Sequence, residues 1–244
     1  PPGRPRAAAG REQRRHGEEY GMENPHGVFM FIREPWREAV SLITASNLKW
    51  GKASGPVSFS VAPGRMTVVT GYSGSEGEDL LQVMAGIRKP SGGLIEICGA
   101  IPGAFQTPPS ALFLSAAPSL DPARPAYRQL LSRLSACGRP RTTVRGELDD
   151  WLARSGLEKE ARIRSGRLPG WMPRFMTLAL PALLSPRVLA VCEPLEGIPL
   201  VRIPDVIGVL VDARTAGCTV AVLSVSPGEL AAEADSIVTI GETE

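Results

Sequence analysis

Glycines and carboxylates crowd one short stretch of the chain, where Gly71-Tyr-Ser-Gly-Ser75 runs directly into Glu76, Gly77, Glu78 and Asp79. A glycine-rich turn between a strand and a helix can aim backbone N–H groups at a phosphate, and the helix N-terminus adds positive potential. The flanks supply that setting. Met66-Thr-Val-Val-Thr70 is a short β-branched run, and Leu80, Leu81 and Met84 recur at helical spacing between Asp79 and Ala85. Other reactive residue types are scarce. The only histidines are His16 and His26, and Cys98, Cys137, Cys192 and Cys218 lie far apart without a CxxC pair. Neither a zinc cluster nor a dithiol redox site is indicated, and reduced, mostly buried thiols of a cytosolic protein fit better.

The elements that must position the loop follow from pattern. Val57-Ser-Phe-Ser-Val61 alternates like a strand and Pro63-Gly64 turns the chain into the run at Met66. Gly93 to Cys98 and Ala111 to Leu114 are further short strands. Pro125 to Arg167 reads as helical pieces punctuated by Gly138-Arg-Pro140 and by Gly156. Arg187-Val-Leu-Ala-Val-Cys192 and Cys218-Thr-Val-Ala-Val-Leu-Ser224 have the apolar composition of strands buried on both faces of a parallel sheet, with Ile203 to Ala216 as the crossover helix between them. A doubly wound α/β core with a helical insertion is implied.

At 244 residues, with 43% hydrophobic and 21% charged content, the chain can bury one large α/β domain. A formal net charge of +2 gives no footing to a nucleic-acid surface. The longest apolar candidate, Val188 to Val211, is interrupted by Glu193, Pro194, Glu196, Pro199, Arg202, Pro204 and Asp205, short of the roughly 20 residues that span a bilayer. Residues 1–19, rich in Arg, Pro, Ala and Gly, read as disordered. A transit peptide is disfavoured by Glu12, Glu18 and Glu19, and Met22 is an alternative start.

From about Leu42 to Gly241 the sequence resembles the nucleotide-binding subunits of ABC transporters. Gly71 to Leu81, GYSGSEGEDLL, lies over the family's GpSGsGKsTLL. Met84-Ala-Gly-Ile-Arg-Lys-Pro-Ser-Gly-Gly93 with Ile95 to Gly99, Ser185 to Pro194 and Ala234-Asp-Ser-Ile-Val-Thr-Ile240 match later family segments in order and spacing. The resemblance implies a P-loop NTPase-like parallel sheet core, an antiparallel β subdomain and a helical subdomain insertion. The expected division is a poorly ordered tail at 1–40, a core at 41–118 and 171–244, and a helical subdomain at 119–170.

The family's chemistry does not carry over residue by residue. Gly77 stands at the lysine position, Glu78 at the magnesium-binding hydroxyl and Glu76 at a glycine. Carboxylates thus stand where polyphosphate would sit, and each like-charge pair at 4 Å costs on the order of 4 kcal/mol at an effective dielectric near 20. A new cation site in the acidic loop lacks a matching second cluster. Ala116 takes the place of the glutamine that contacts magnesium, and Cys192 that of the magnesium-binding aspartate. The signature falls on Pro169-Gly-Trp-Met-Pro173, and Val225, between Ser224 and Ser226, replaces the switch histidine. Glu193 survives at the general-base position, as a vestige.

The resemblance therefore implies a degenerate subunit, a pseudo-ATPase with a structural or regulatory role in an ABC transporter-like membrane complex. The alternatives are a nucleotide-binding but non-hydrolysing subunit and a soluble scaffold unrelated to transport. No cofactor is expected, with weak ATP and magnesium binding the alternative. A degenerate cofactor site would comprise Gly71, Ser73, Gly74, Ser75, Gly77 and Glu78, with Trp50 as a remnant of the aromatic that stacks on adenine. A core role for Trp50 is the simpler reading. Expected partners are a membrane permease, a paralogous ABC ATPase, or a second copy in a homo- or heterodimer. Neither nucleic acid nor direct insertion into a membrane is expected. The location implied is cytoplasmic, peripheral at the inner face of the cell membrane through a partner.

Overall fold

A computed structural model describes residues 42–50, 56–72, 75–102, 111–117 and 120–240. The expected tail at 1–40 lies outside them. Among the described residues, eight strands fall into two sheets. β1 (Ile43–Lys49), β2 (Val57–Val61) and β4 (Gly92–Ile97) form an antiparallel sheet in the order β2-β1-β4. β3 (Met66–Thr70), β5 (Ala111–Leu114), β6 (Val188–Cys192), β7 (Thr219–Leu223) and β8 (Ser236–Thr239) form a parallel sheet in the order β5-β6-β7-β3-β8. The α/β class with a parallel core sheet and a separate antiparallel sheet is thereby the observed one.

Side-chain alternation explains how the parallel sheet separates two cores. Met66, Val68, Leu189, Val191, Val220 and Val222 point to one face. Val69, Val188, Ala190, Cys192, Ala221 and Leu223 point to the other. Because both faces are covered, every residue of β6 and β7 is buried. The first face packs against α2 (Ala126–Ala136), α3 (Arg141–Ser155), α4 (Trp171–Thr177), α5 (Ala179–Leu184) and α6 (Ile203–Thr215). The second packs against the antiparallel sheet and α1 (Glu76–Met84). A single-turn helix, α7 (Leu230–Glu233), precedes β8.

The helical stretch between β5 and β6 is punctuated as its residues dictate. Pro140 is the N-cap of α3, and Gly156 ends that helix in the left-handed conformation, φ +66°. The helix broken by Pro181 separates at Leu178, because the proline ring cannot coexist with an α-helical carbonyl four residues earlier at Thr177. Two details depart from expectation. β1 carries too weak an alternation to be read from sequence, since a bulge between Ala45 and Leu48 with Asn47 at φ +48° interrupts it. Helix α1 starts at Glu76 rather than Asp79, so Glu76, Gly77 and Glu78 belong to its first turn.

Candidate functional site

The loop that joins β3 to α1 leaves the sheet at Gly71, whose φ of +89° and contact with β8's end admit no side chain. A Cβ there would lie 2.2 Å from the carbonyl oxygen of Ile240. The next residue, Tyr72, turns inward and is buried, 5% exposed. Ser75 ends the loop as the N-cap residue of α1, without a side-chain capping bond. Ser73 and Gly74 lie outside the described residues.

Three acids, Glu76, Glu78 and Asp79, occupy the first turn of α1. Negative charge is favourable there, because the unpaired N–H groups and the peptide dipoles make a helix N-terminus positive. The chain thus brings its own anions to the place where a phosphate would profit from that potential. Their outward ends are engaged as well. Glu78 Oε2 accepts the Ala116 N–H at 3.1 Å, joining α1 to the end of β5, and Asp79 pairs with Arg88 at 2.6 Å.

Glu193 follows β6 in a strained, left-handed conformation at φ +46°. Its backbone N–H donates to the Leu223 carbonyl at 2.7 Å, which carries the β6–β7 ladder one residue further and aims the carboxylate at the neighbouring strand ends. Oε1 accepts both the Val225 N–H at 2.8 Å and the Tyr72 hydroxyl at 3.0 Å, and Oε2 accepts the Ser224 hydroxyl at 3.1 Å. One carboxylate therefore ties together the exits of β3, β6 and β7. Burial, reinforced by the Glu193 charge, pushes the Tyr72 phenol far above its ordinary value.

Cys192, where the resemblance puts a metal-binding aspartate, is buried. Burial first, then the charges of Glu78 and Glu193, push its thiol up to about 12, so it stays protonated and a poor ligand at neutral pH. Arg174 spans from α4 to this strand end, donating to the Cys192 carbonyl at 3.4 Å and the Glu196 carbonyl at 2.6 Å. Among the described residues, no group of three or more His, Cys, Asp or Glu side chains is placed to hold a metal ion.

Trp50 needs correction as a nucleotide-stacking residue. It is 1% exposed, belongs to the core between the antiparallel sheet and α1, and its indole N–H donates to the Glu76 carbonyl at 3.0 Å. With both ring faces packed, it has no open surface for a base. The segment Pro169–Pro173 lies at the start of α4, where Trp171 packs edge-on against Phe175 at 6.1 Å and Pro173 is buried. Val225, at the histidine position, is exposed. Structure thus brings Gly71, Ser75, Gly77, Glu78 and Glu193 to one end of the parallel sheet. It adds Tyr72, which sequence reasoning missed. Its one signal was a large aromatic inside a stretch otherwise made of small residues.

Comparison with known proteins agrees on the fold. No protein-family model matches the chain. It is 30% identical over 144 residues to the Nod factor export ATP-binding protein I of Paraburkholderia xenovorans (strain LB400), an alignment covering 58% of this chain and 47% of that protein. The chain thus spans about half the length of the curated relative it matches. An ATP-binding subunit of an ABC transporter superposes with a TM-score of 0.72 at 18% identity, covering 82% of this chain and 86% of that one. The cbiO1 protein of Clostridium perfringens, part of the ABC transporter complex cbiONQ, superposes at 0.65 with 18% identity, over 84% and 86% of the two chains. The fold is that of an ABC ATPase domain. Among the described residues, no helix is long and apolar enough to cross a membrane.

Proposed function

We propose that this ABC ATPase fold works as a pseudo-ATPase, a structural or regulatory subunit of an ABC transporter-like membrane complex that does not hydrolyse ATP. The observation that carries the reading is the state of Glu193. A general base must keep a carboxylate oxygen free to take a proton from water. Here Oε1 is fully used by Tyr72 and Val225 and Oε2 is held by Ser224, so the carboxylate is fixed to three strand exits with three of its roughly four acceptor sites occupied, rather than presented to a water. The residues present also fit MgATP poorly. Gly77 offers no ammonium, Glu78 brings negative charge in place of a hydroxyl, and Cys192 is a buried thiol.

The relatives' names supply the setting: one is an export protein's ATP-binding component and another is part of a multi-subunit transporter. By analogy, the partner we propose is a membrane permease, an intact paralogous ATPase, or both, with the chain at the cytoplasmic face of a membrane through that partner. The core at 41–118 and 171–244 and the helical subdomain at 119–170 would serve as docking surfaces.

The test is a steady-state phosphate-release assay on the purified chain and its Glu193→Gln variant, paired with calorimetric titration of MgATP. Background turnover by both proteins and no binding heat at millimolar nucleotide are expected. Turnover by the parent that the substitution abolishes would overturn the proposal. Binding heat without turnover would instead select the non-hydrolysing, nucleotide-binding reading.

A further inference from the structure

Resting on that reading, and adding a cause to it, we infer that Tyr72 is the residue that determines nucleotide exclusion, an internal plug whose ring fills the room a side chain at position 77 needs. A Cβ built on Gly77 would lie 2.4 Å from Tyr72 Cε2, 2.7 Å from Cζ and 2.9 Å from the hydroxyl oxygen. Real Cβ atoms essentially never approach so closely, so no residue larger than glycine fits at position 77 while the ring stays in place. The lysine that a working loop would carry there is excluded by its very first side-chain atom.

The ring is held at both ends. On the backbone side, Gly71 is wedged against Ile240, and the Ile240 N–H donates to the Thr70 carbonyl at 2.6 Å. On the hydroxyl side, Tyr72 is anchored to Glu193, which is itself fixed by Ser224 and Val225. Between these ends, the ring belongs to the buried cluster that contains Leu80, Leu81 and Trp50. Moving it aside requires breaking the hydroxyl bond and opening that cluster. A side chain at position 77 and the Tyr72 ring in its present place are thus mutually exclusive, and introducing a lysine alone cannot reopen the site.

The coupling has a test that needs no ligand. Gly→Ala inside a helix normally raises stability, because alanine is the better helix former. In the parent chain, Gly77→Ala is expected to lower the melting temperature. In a Tyr72→Ser background, the same substitution is expected to raise it. A rise in both backgrounds overturns the inference, as does an equal fall in both.

A second arm uses ATP as the probe in calorimetry. Glu76→Gly, Gly77→Lys and Glu78→Ser together, with Tyr72 intact, are expected to leave binding undetectable or weak. Adding Tyr72→Ser is expected to tighten it at least tenfold. Equal affinity with and without Tyr72 overturns the plug yet leaves the pseudo-ATPase reading standing. Failure of the folded four-residue variant to bind also overturns the plug. Turnover by the unmodified chain defeats the functional reading instead.

Discussion

Replacing Glu193 by alanine should lower the stability of the whole domain, an outcome foreign to a residue kept only for catalysis. The substitution strands three donors at once: the Tyr72 hydroxyl, the Ser224 hydroxyl and the Val225 N–H. Val225 is 46% exposed, so water can replace its partner, but Tyr72 and Ser224 are only 5% and 3% exposed. A buried donor left unpaired costs about 1–3 kcal/mol, and two of them, both hydroxyls that can reorient, come to roughly 3 kcal/mol. For a domain of this size, each kcal/mol moves the melting temperature by about 2–4 °C, so a fall of roughly 6–12 °C is expected by differential scanning calorimetry. Glutamine should be far milder. Its amide oxygen can keep Val225 and Tyr72 while its NH2 group donates to Ser224 Oγ, which limits the cost to about 1 kcal/mol. Glycine supplies a further control. Glu193 sits at φ +46°, a conformation that costs an L-residue about 1–2 kcal/mol, so Glu193→Gly should melt above Glu193→Ala despite having no side chain. An alanine variant melting within about 2 °C of the parent, or an order other than Gln above Gly above Ala, would refute the reasoning.

Two further outcomes follow from groups nearby. Cys192→Asp would bury a carboxylate beside Glu78 and Glu193, at a cost of roughly 3–5 kcal/mol when ionised. Burial and like charge raise such a carboxyl's folded pKa, so the penalty grows as pH rises above the unfolded value, and the gap in melting temperature from the parent should narrow from pH 8 to pH 5. Asp235 behaves oppositely. The Met66 N–H at 2.8 Å and Arg65 at 2.9 Å hold its carboxyl below the usual range, with Arg214 adding a smaller contribution. Its stabilisation is therefore present above the unfolded carboxylate value, near 3.9, and fades as pH falls through the lower folded value. The melting-temperature difference between parent and Asp235→Asn should accordingly be constant near neutrality and shrink in acid.

Where local pattern and tertiary packing agree, the sequence is readable. β6, β7 and the crossover helix α6 declare themselves because strands buried on both faces must be continuously apolar and their connection must be helical. β1 does not, since its bulge and left-handed Asn47 answer to the pairing with β2 on one side and with β4, more than forty residues on, on the other, and not to any pattern within the strand itself. At the site, the missing lysine, aspartate and histidine are visible as letters, whereas the replacement network is not. Tyr72 bonds Glu193 across 121 residues, and no periodicity of either segment encodes that pairing. Glu193 consequently looks in sequence like a leftover, but in the fold it joins three strands. Trp50 shows the converse: an aromatic ambiguous by type is decided by one number, its 1% exposure.

That buried indole also makes the start of α1 optically legible. Trp50 donates its N–H to the carbonyl of Glu76, the first residue of α1, so its emission senses the backbone at the start of that helix. Shielded from water, it should emit towards the blue. Were the helix start to lift away, the ring would lose its acceptor and meet solvent, and its spectrum would shift to the red. In a variant whose other tryptophans, Trp36, Trp151 and Trp171, are replaced by phenylalanine, the colour of a single fluorophore would report whether the first turn of α1 ever lifts from the core.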